Sequence, residues 1–191
     1  MNKENRIVSL DIAKGIGIIL VVIGYCYAKP TNSHRLIYAF HMPFFFIISG
    51  IIYSFRDKKF SFNFRTKLKS LLFSYFMFEL MWIIFLGVLN FKNPGFNIYN
   101  KILNTLLFKG NIATWYLPCL FITEFLFYIT LETKYPKLLI FMMLFTGLLY
   151  PNQSNKLWFI MRPLVGLGFF SVGYFYNQAF KKRVNCVLYY C

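Results

Sequence analysis

Five charged side chains, Asp11, Lys14, Glu79, Glu124 and Arg162, stand inside long apolar runs of this chain. His41 and Tyr25 join them as polar groups in the same surroundings. An ionisable group in hydrocarbon costs at least about 2.5–3.5 kcal/mol on insertion scales, so each asks for a chemical or a pairing role. A free imidazole titrates at about pH 6.5 and can take a proton from a hydroxyl at neutral pH. A phenol, titrating at about pH 10, holds its own proton there and does not readily act as a base. Asp11 and Lys14 are three residues apart, share a helix face and can pair. Lys14 and Tyr25 are eleven apart, close to three turns, which puts them on that face about 16 Å from each other.

Each of these residues has a plainer reading beside the chemical one. Asp11 and Lys14 can be a pair snorkelling to the inner surface. Glu79 and Glu124 can bond neighbouring helices or pair with Arg162. Ala13 and Gly17, with Gly15 between them, suit close helix packing, and a lone buried histidine such as His41 is commonly a satisfied structural residue. The many Phe, Tyr and Trp residues read as interface belts and lipid-facing surface. No nucleotide-binding loop, nucleophile elbow or zinc spacing occurs in the sequence.

The elements that position these groups follow from composition. Of 191 residues, 58% are hydrophobic and 14% charged, with 25 phenylalanines. Soluble domains are about a quarter charged, and a soluble chain of this size could not hide so much apolar surface. A net charge of +15 invites a nucleic-acid reading. The basic residues, however, sit in short clusters between apolar runs, as at lipid headgroups, so no nucleic-acid partner is expected. Cys26, Cys119, Cys186 and Cys191 make no metal-spaced pair and read as small hydrophobes.

A bilayer core of about 30 Å needs roughly 20 helical residues. Six segments approach that length: 7–27, 35–54, 70–90, 114–131, 136–150 and 157–178. Asp11 and Lys14 interrupt the approach to the first, and no convincing cleavage site follows it, so it reads as a retained helix and not a signal peptide. Pro136 opens the fifth, where a first-turn proline is tolerated. Within 97–110, Ile98, Ile102, Leu103, Leu106 and Leu107 recur at helical spacing, which predicts a helix lying along the interface.

Lys and Arg in the loops set the orientation. With the N-terminus inside, the inner segments hold Lys3, Arg6, Arg56, Lys58, Lys59, Arg65, Lys67, Lys69, Lys134, Lys137, Lys181, Lys182 and Arg183. The outer ones hold Lys29, Arg35, Lys92, Lys101, Lys109 and Lys156. Thirteen against six predicts both termini in the cytoplasm. The expected fold is therefore all-α, a polytopic transmembrane bundle of about six helices forming one domain over residues 1–191.

Three stretches carry a family resemblance: SLDIAKGIGIILVVIGY (9–25), FHMPFFFIISGIIYSF (40–55) and TWYLPCLFITEFLFY (114–128). They resemble the membrane-bound acyltransferase 3 family, and within it the fucose 4-O-acetylase-like branch. RPLVGLGFFSVGYFY (162–176) fits more loosely. The resemblance implies an enzyme moving an acyl group, usually acetyl, from cytoplasmic acyl-CoA to a hydroxyl on a cell-envelope sugar or polymer. It implies the plasma membrane of a bacterium, and no bound cofactor or metal.

Carried over residue by residue, the family's first-helix motif is a basic residue followed eleven positions later by His. Lys14 takes the basic position, and Tyr25 stands where the family has its His. The second-helix His is present as His41, between Phe40 and the Met42–Pro43 pair. The catalytic candidates are His41, Lys14 and Tyr25, and those for substrate contact are Asp11, Trp115, Glu124 and Arg162. Family members commonly run longer than this chain, which predicts C-terminal truncation. Two rival readings stand beside the enzyme: a carrier of a lipid-linked glycan or small solute relaying through Glu79, Glu124 and Arg162, and a non-catalytic remnant.

Overall fold

The structure, a computed structural model, describes residues 8–26, 32–55, 68–89, 97–108, 114–149 and 158–190; for some helical residues, Tyr25 among them, it describes the backbone alone. Most of the described residues are helical, and none of them forms a strand. In chain order they form α1 (Val8–Cys26), α2 (Asn32–Ser54), a π-helical turn (Leu68–Phe73) leading into α3 (Ser74–Leu89), α4 (Ile98–Leu106), α5 (Tyr116–Leu131), α6 (Pro136–Leu149) and α7 (Trp158–Tyr190).

These helices coincide with the six apolar runs and the interfacial segment, because apolar stretches bounded by polar loops leave the backbone little choice of partner but itself. The largest difference in a boundary is at the last helix. The last span was expected to end at 178, yet α7 continues to Tyr190. No Gly or Pro follows Gly173, and Lys and Arg at 181–183 are good helix formers, so nothing in the local sequence stops it. Among the described residues, one helical stretch, Lys69–Leu89 with mean hydropathy 2.0, is both long and apolar enough to cross a bilayer. Tyr116–Leu131 and Pro136–Leu149 are apolar but shorter.

The described helices gather into two compact units. One comprises α1, α2 and α7 from Phe169 onward; the other comprises α3 to α6 with α7 as far as Gly168. In the first, α1 packs on α2 where Gly17 receives the Phe44 and Phe45 rings, which would lie 2.9–3.2 Å from a Cβ added there. Gly17, expected with Ala13 to permit close packing, does so here, while Gly15 between them faces open space. The closest approach in this unit joins α2 to α7. A Cβ on Gly50 would fall 2.0 Å from the Phe170 carbonyl oxygen, and one on Gly173 2.0 Å from that of Ile47. One turn further along both helices, Asn177 Nδ2 donates to Ser54 Oγ at 2.6 Å, and Ser54 passes its own hydrogen to the Ile51 carbonyl. The pairing is a small-residue crossing with a buried hydrogen bond, an arrangement that lets helix backbones approach closely.

In the second unit α6 meets the first half of α7 at another pair of glycines. Gly147 lies against Leu164 and Val165, and Gly168 against Leu144. Both ends of α4 follow local rules. Asn97 caps the start, its side chain accepting from the Asn100 N–H at 3.2 Å. Beyond the last turn Phe108 takes a left-handed backbone, φ 54, a conformation usually left to glycine. Its ring packs against Tyr75 (5.9 Å between centroids) and Phe76 (6.3 Å), and this aromatic contact offsets the strain.

Candidate functional site

His41 sits near the middle of α2, two residues before the interior proline Pro43. The side chain is buried, with 1% exposure. Nδ1 lies 2.6 Å from the Ile37 carbonyl oxygen one turn earlier. A carbonyl can only accept, so Nδ1 carries the hydrogen and donates it. In the neutral ring that contact leaves the lone pair on Nε2, the tautomer in which a histidine can receive a proton from a substrate. Pro43 has no N–H to offer the Ala39 carbonyl, so the helical ladder is interrupted within a turn of the histidine.

Lys14 and Asp11 are paired as their spacing predicts: Nζ stands 3.7 Å from Oδ1, with both side chains about a third or more exposed. At that exposure the pair orients Lys14 more than it stabilises the helix. Tyr25 occupies the last turn of α1, and its side chain lies outside those the structure describes. Asp11, Lys14, Tyr25 and His41 all belong to the first unit.

Trp115, Glu124 and Arg162 belong to the second unit. Trp115 stands immediately before α5. Arg162 enters from the first turns of α7, its guanidinium carbon 4.3 Å from the centre of the Trp115 ring. At that distance the cation and the ring face attract each other, and the contact ties Arg162 to Trp115. Pro118, Cys119, Ile122, Phe108 and Pro163 complete a small cleft around the pair. Thr123 ties the same region together by donating to the Pro163 carbonyl at 3.2 Å. Glu124, the next residue, is buried within α5 at 4% exposure.

Glu79 shows the same 4% exposure. Its carboxylate accepts from Thr105 Oγ1 at 3.3 Å and from the Thr114 hydroxyl. Sequence reasoning offered Arg162 or a neighbouring helix as its partner and did not single out the two threonines. Nothing local marks them, since they lie 26 and 35 residues away.

A family model described as "Acyltransferase domain", that of the acyltransferase 3 family, matches residues 7–190. With nearly the whole chain covered, from α1 through α7, the chain belongs to this acyltransferase family. No curated protein and no solved structure matches it.

Proposed function

We propose that the protein is a membrane-bound O-acyltransferase. It would move an acyl group, acetyl in the first instance, from acyl-CoA on the cytoplasmic side to a hydroxyl of a cell-envelope sugar, as in the fucose 4-O-acetylase-like branch. The observation that carries the reading, given the family, is the buried His41 ring with Nδ1–H held on the Ile37 carbonyl. Nε2 takes the proton of the acceptor hydroxyl as its oxygen attacks the thioester carbon. The carbon–sulfur bond then breaks, and the departing CoA sulfur receives the proton. Lys14, oriented by Asp11, binds an anionic part of the donor; Trp115, Glu124 and Arg162 contact substrate.

Its setting would be the plasma membrane of a bacterium, crossed by about six helices with both termini cytoplasmic. What supports this is a surface turned inside out. Along α1, Ile12, Ile16, Ile19 and Ile23 face outward while Gly17 and Gly24 are buried. Along α3, Phe78, Met81, Phe85 and Val88 are exposed and Glu79 is enclosed. On α4 the whole apolar stripe, Ile98, Ile102, Leu103 and Leu106, is exposed and Thr105 is buried. Water would reverse each of these choices, whereas lipid favours them.

Two experiments test the reading. The first supplies radiolabelled acetyl-CoA to inside-out vesicles and counts acetylated glycan. Lys14→Ala should raise KM for acetyl-CoA with a smaller effect on kcat, and Lys14→Arg should be tolerated; equal kinetics for Lys14→Ala and the parent would remove Lys14 from the donor site. The second labels single cysteines in a Cys-free background. Positions in 28–34, 91–113 and 151–156 should react from outside in intact cells, and positions in 55–69 should not. External labelling of 55–69 would overturn the orientation.

A further inference from the structure

Glu79 has no part in this chemistry, yet its buried carboxylate gathers hydroxyls from two other segments. Thr114, which donates to it, is the neighbour of Trp115, and Trp115 carries the Arg162 guanidinium on its ring face. Thr105, the second donor, belongs to the last turns of α4. Its carbonyl accepts both the Tyr75 hydroxyl, at 3.0 Å, and the Phe108 N–H, at 3.0 Å. Tyr75 is fully buried and also packs on the Phe108 ring. Two walls of the Arg162 cleft, Phe108 and Trp115, therefore hang on Tyr75 and Glu79, one turn apart on α3.

We propose that Glu79 is a positioning residue. Through Thr114 and Thr105 it holds Trp115 and Phe108 so that the Arg162 cleft forms a subsite for a compact group with electron-rich oxygen. An acyl thioester and a free carboxylate both present such a group. A carboxylate suits the task because each oxygen can accept one of the two hydroxyls. The cleft walls other than Arg162 are apolar or aromatic, so the guanidinium edge supplies the polar recognition, and an arginine with five donors serves a ligand oxygen beside its other contacts. The geometry stands independently of the acyl-transfer reading; only the preference for a thioester over a carboxylate rests on it.

The test uses the full chain in nanodiscs with Trp82→Phe and Trp158→Phe, so that emission reports Trp115 alone. Glu79→Ala and Thr114→Val should both shift this emission to longer wavelength and increase its quenching by acrylamide. Thr114→Ser should restore the parent spectrum, and Glu79→Gln should stay close to it. With Gln, Thr105 can turn its hydrogen to the Lys101 carbonyl, 3.1 Å away, and accept from the amide. Thr133→Val, at the far end of α5, serves as a control for general loosening. Acetyl-CoA and sodium acetate are then titrated separately against the Trp115 emission; at least one should change it in the parent, and Glu79→Ala should weaken that binding about tenfold. Unchanged emission in Glu79→Ala, or an equal change in Thr133→Val, overturns the positioning role, and no response to either ligand overturns the subsite. A normal set of spectral changes in a chain that transfers no acetyl leaves the positioning role standing and removes the acyl-transfer reading.

Discussion

Tyr25→His should raise acetyl transfer by about a hundredfold or more, the usual worth of a general base, and His41→Ala should remove the transfer that either version carries out. The family resemblance places a histidine at position 25, where this chain has a phenol that keeps its proton at neutral pH. His41, at the family's second-helix position, is then the imidazole assigned to accept the acceptor's proton, buried and with its tautomer set by the Ile37 carbonyl. The packing of Gly17 on Phe44 and Phe45 indicates how the two positions relate. Counting from that contact along neighbouring helices that run in opposite directions, His41 lies roughly 5 Å toward the end of α1 that carries Tyr25, and Tyr25 roughly 7 Å beyond it. Lys14 lies on the other side, roughly 10 Å back from His41. A donor held at Lys14 and an acceptor arriving past Tyr25 would thus meet near His41. The measurement is initial rates with radiolabelled acetyl-CoA in inside-out vesicles for the parent, Tyr25→His, His41→Ala and the double variant. Strong transfer by the parent that survives His41→Ala would show that the base is a different residue.

The distinction between what could and could not be read from the residues follows the distance over which each interaction acts. Helix existence and limits were legible, because an apolar run and its polar ends are local: 7–27 became Val8–Cys26, and 136–150 became Pro136–Leu149. The Asp11–Lys14 pair was legible for the same reason, being separated by one turn. The apolar run 157–178 did not mark the end of its helix, because the Lys and Arg cluster that follows it also propagates a helix well. Non-local partners were not legible. Gly50 and Gly173 each look like an isolated glycine in an apolar helix, and only the crossing of α2 with α7 reveals that each accommodates the other's backbone. Glu79 was open to a bond with a neighbouring helix or a pair with Arg162; the fold gives it the former, through two threonine hydroxyls that no local pattern singles out.

Gly173→Val should abolish folding of the first unit, and Gly50→Val should do the same. At both positions a Cβ would stand 2.0 Å from a carbonyl oxygen of the facing helix, with the carbonyl carbon at 2.9 Å. The obstacle is main chain on both sides, so no side-chain rotation can relieve it. Overpacking of a core commonly costs about 1–3 kcal/mol when neighbouring side chains can move; here the helices themselves must separate, so the cost should reach or exceed the upper end. Separation also breaks the Asn177–Ser54 hydrogen bond at 2.6 Å, leaving a buried amide and hydroxyl to seek new partners. Interhelical hydrogen bonds of this kind average about 0.6 kcal/mol in membranes, so Ser54→Ala alone should be mild by comparison. The controls come from glycines on α1 and α3. A Cβ at Gly15 or Gly87 meets nothing within 4 Å, so Gly15→Ala and Gly87→Ala should be neutral or raise stability by about 0.5–1 kcal/mol through helix propensity. Thermal unfolding and size-exclusion profiles in mild detergent read the difference. Gly50→Val and Gly173→Val should lose the monodisperse peak, and the two alanine variants should keep it. A Gly173→Val protein that unfolds at the parent's temperature would mean that α2 and α7 do not cross at these glycines.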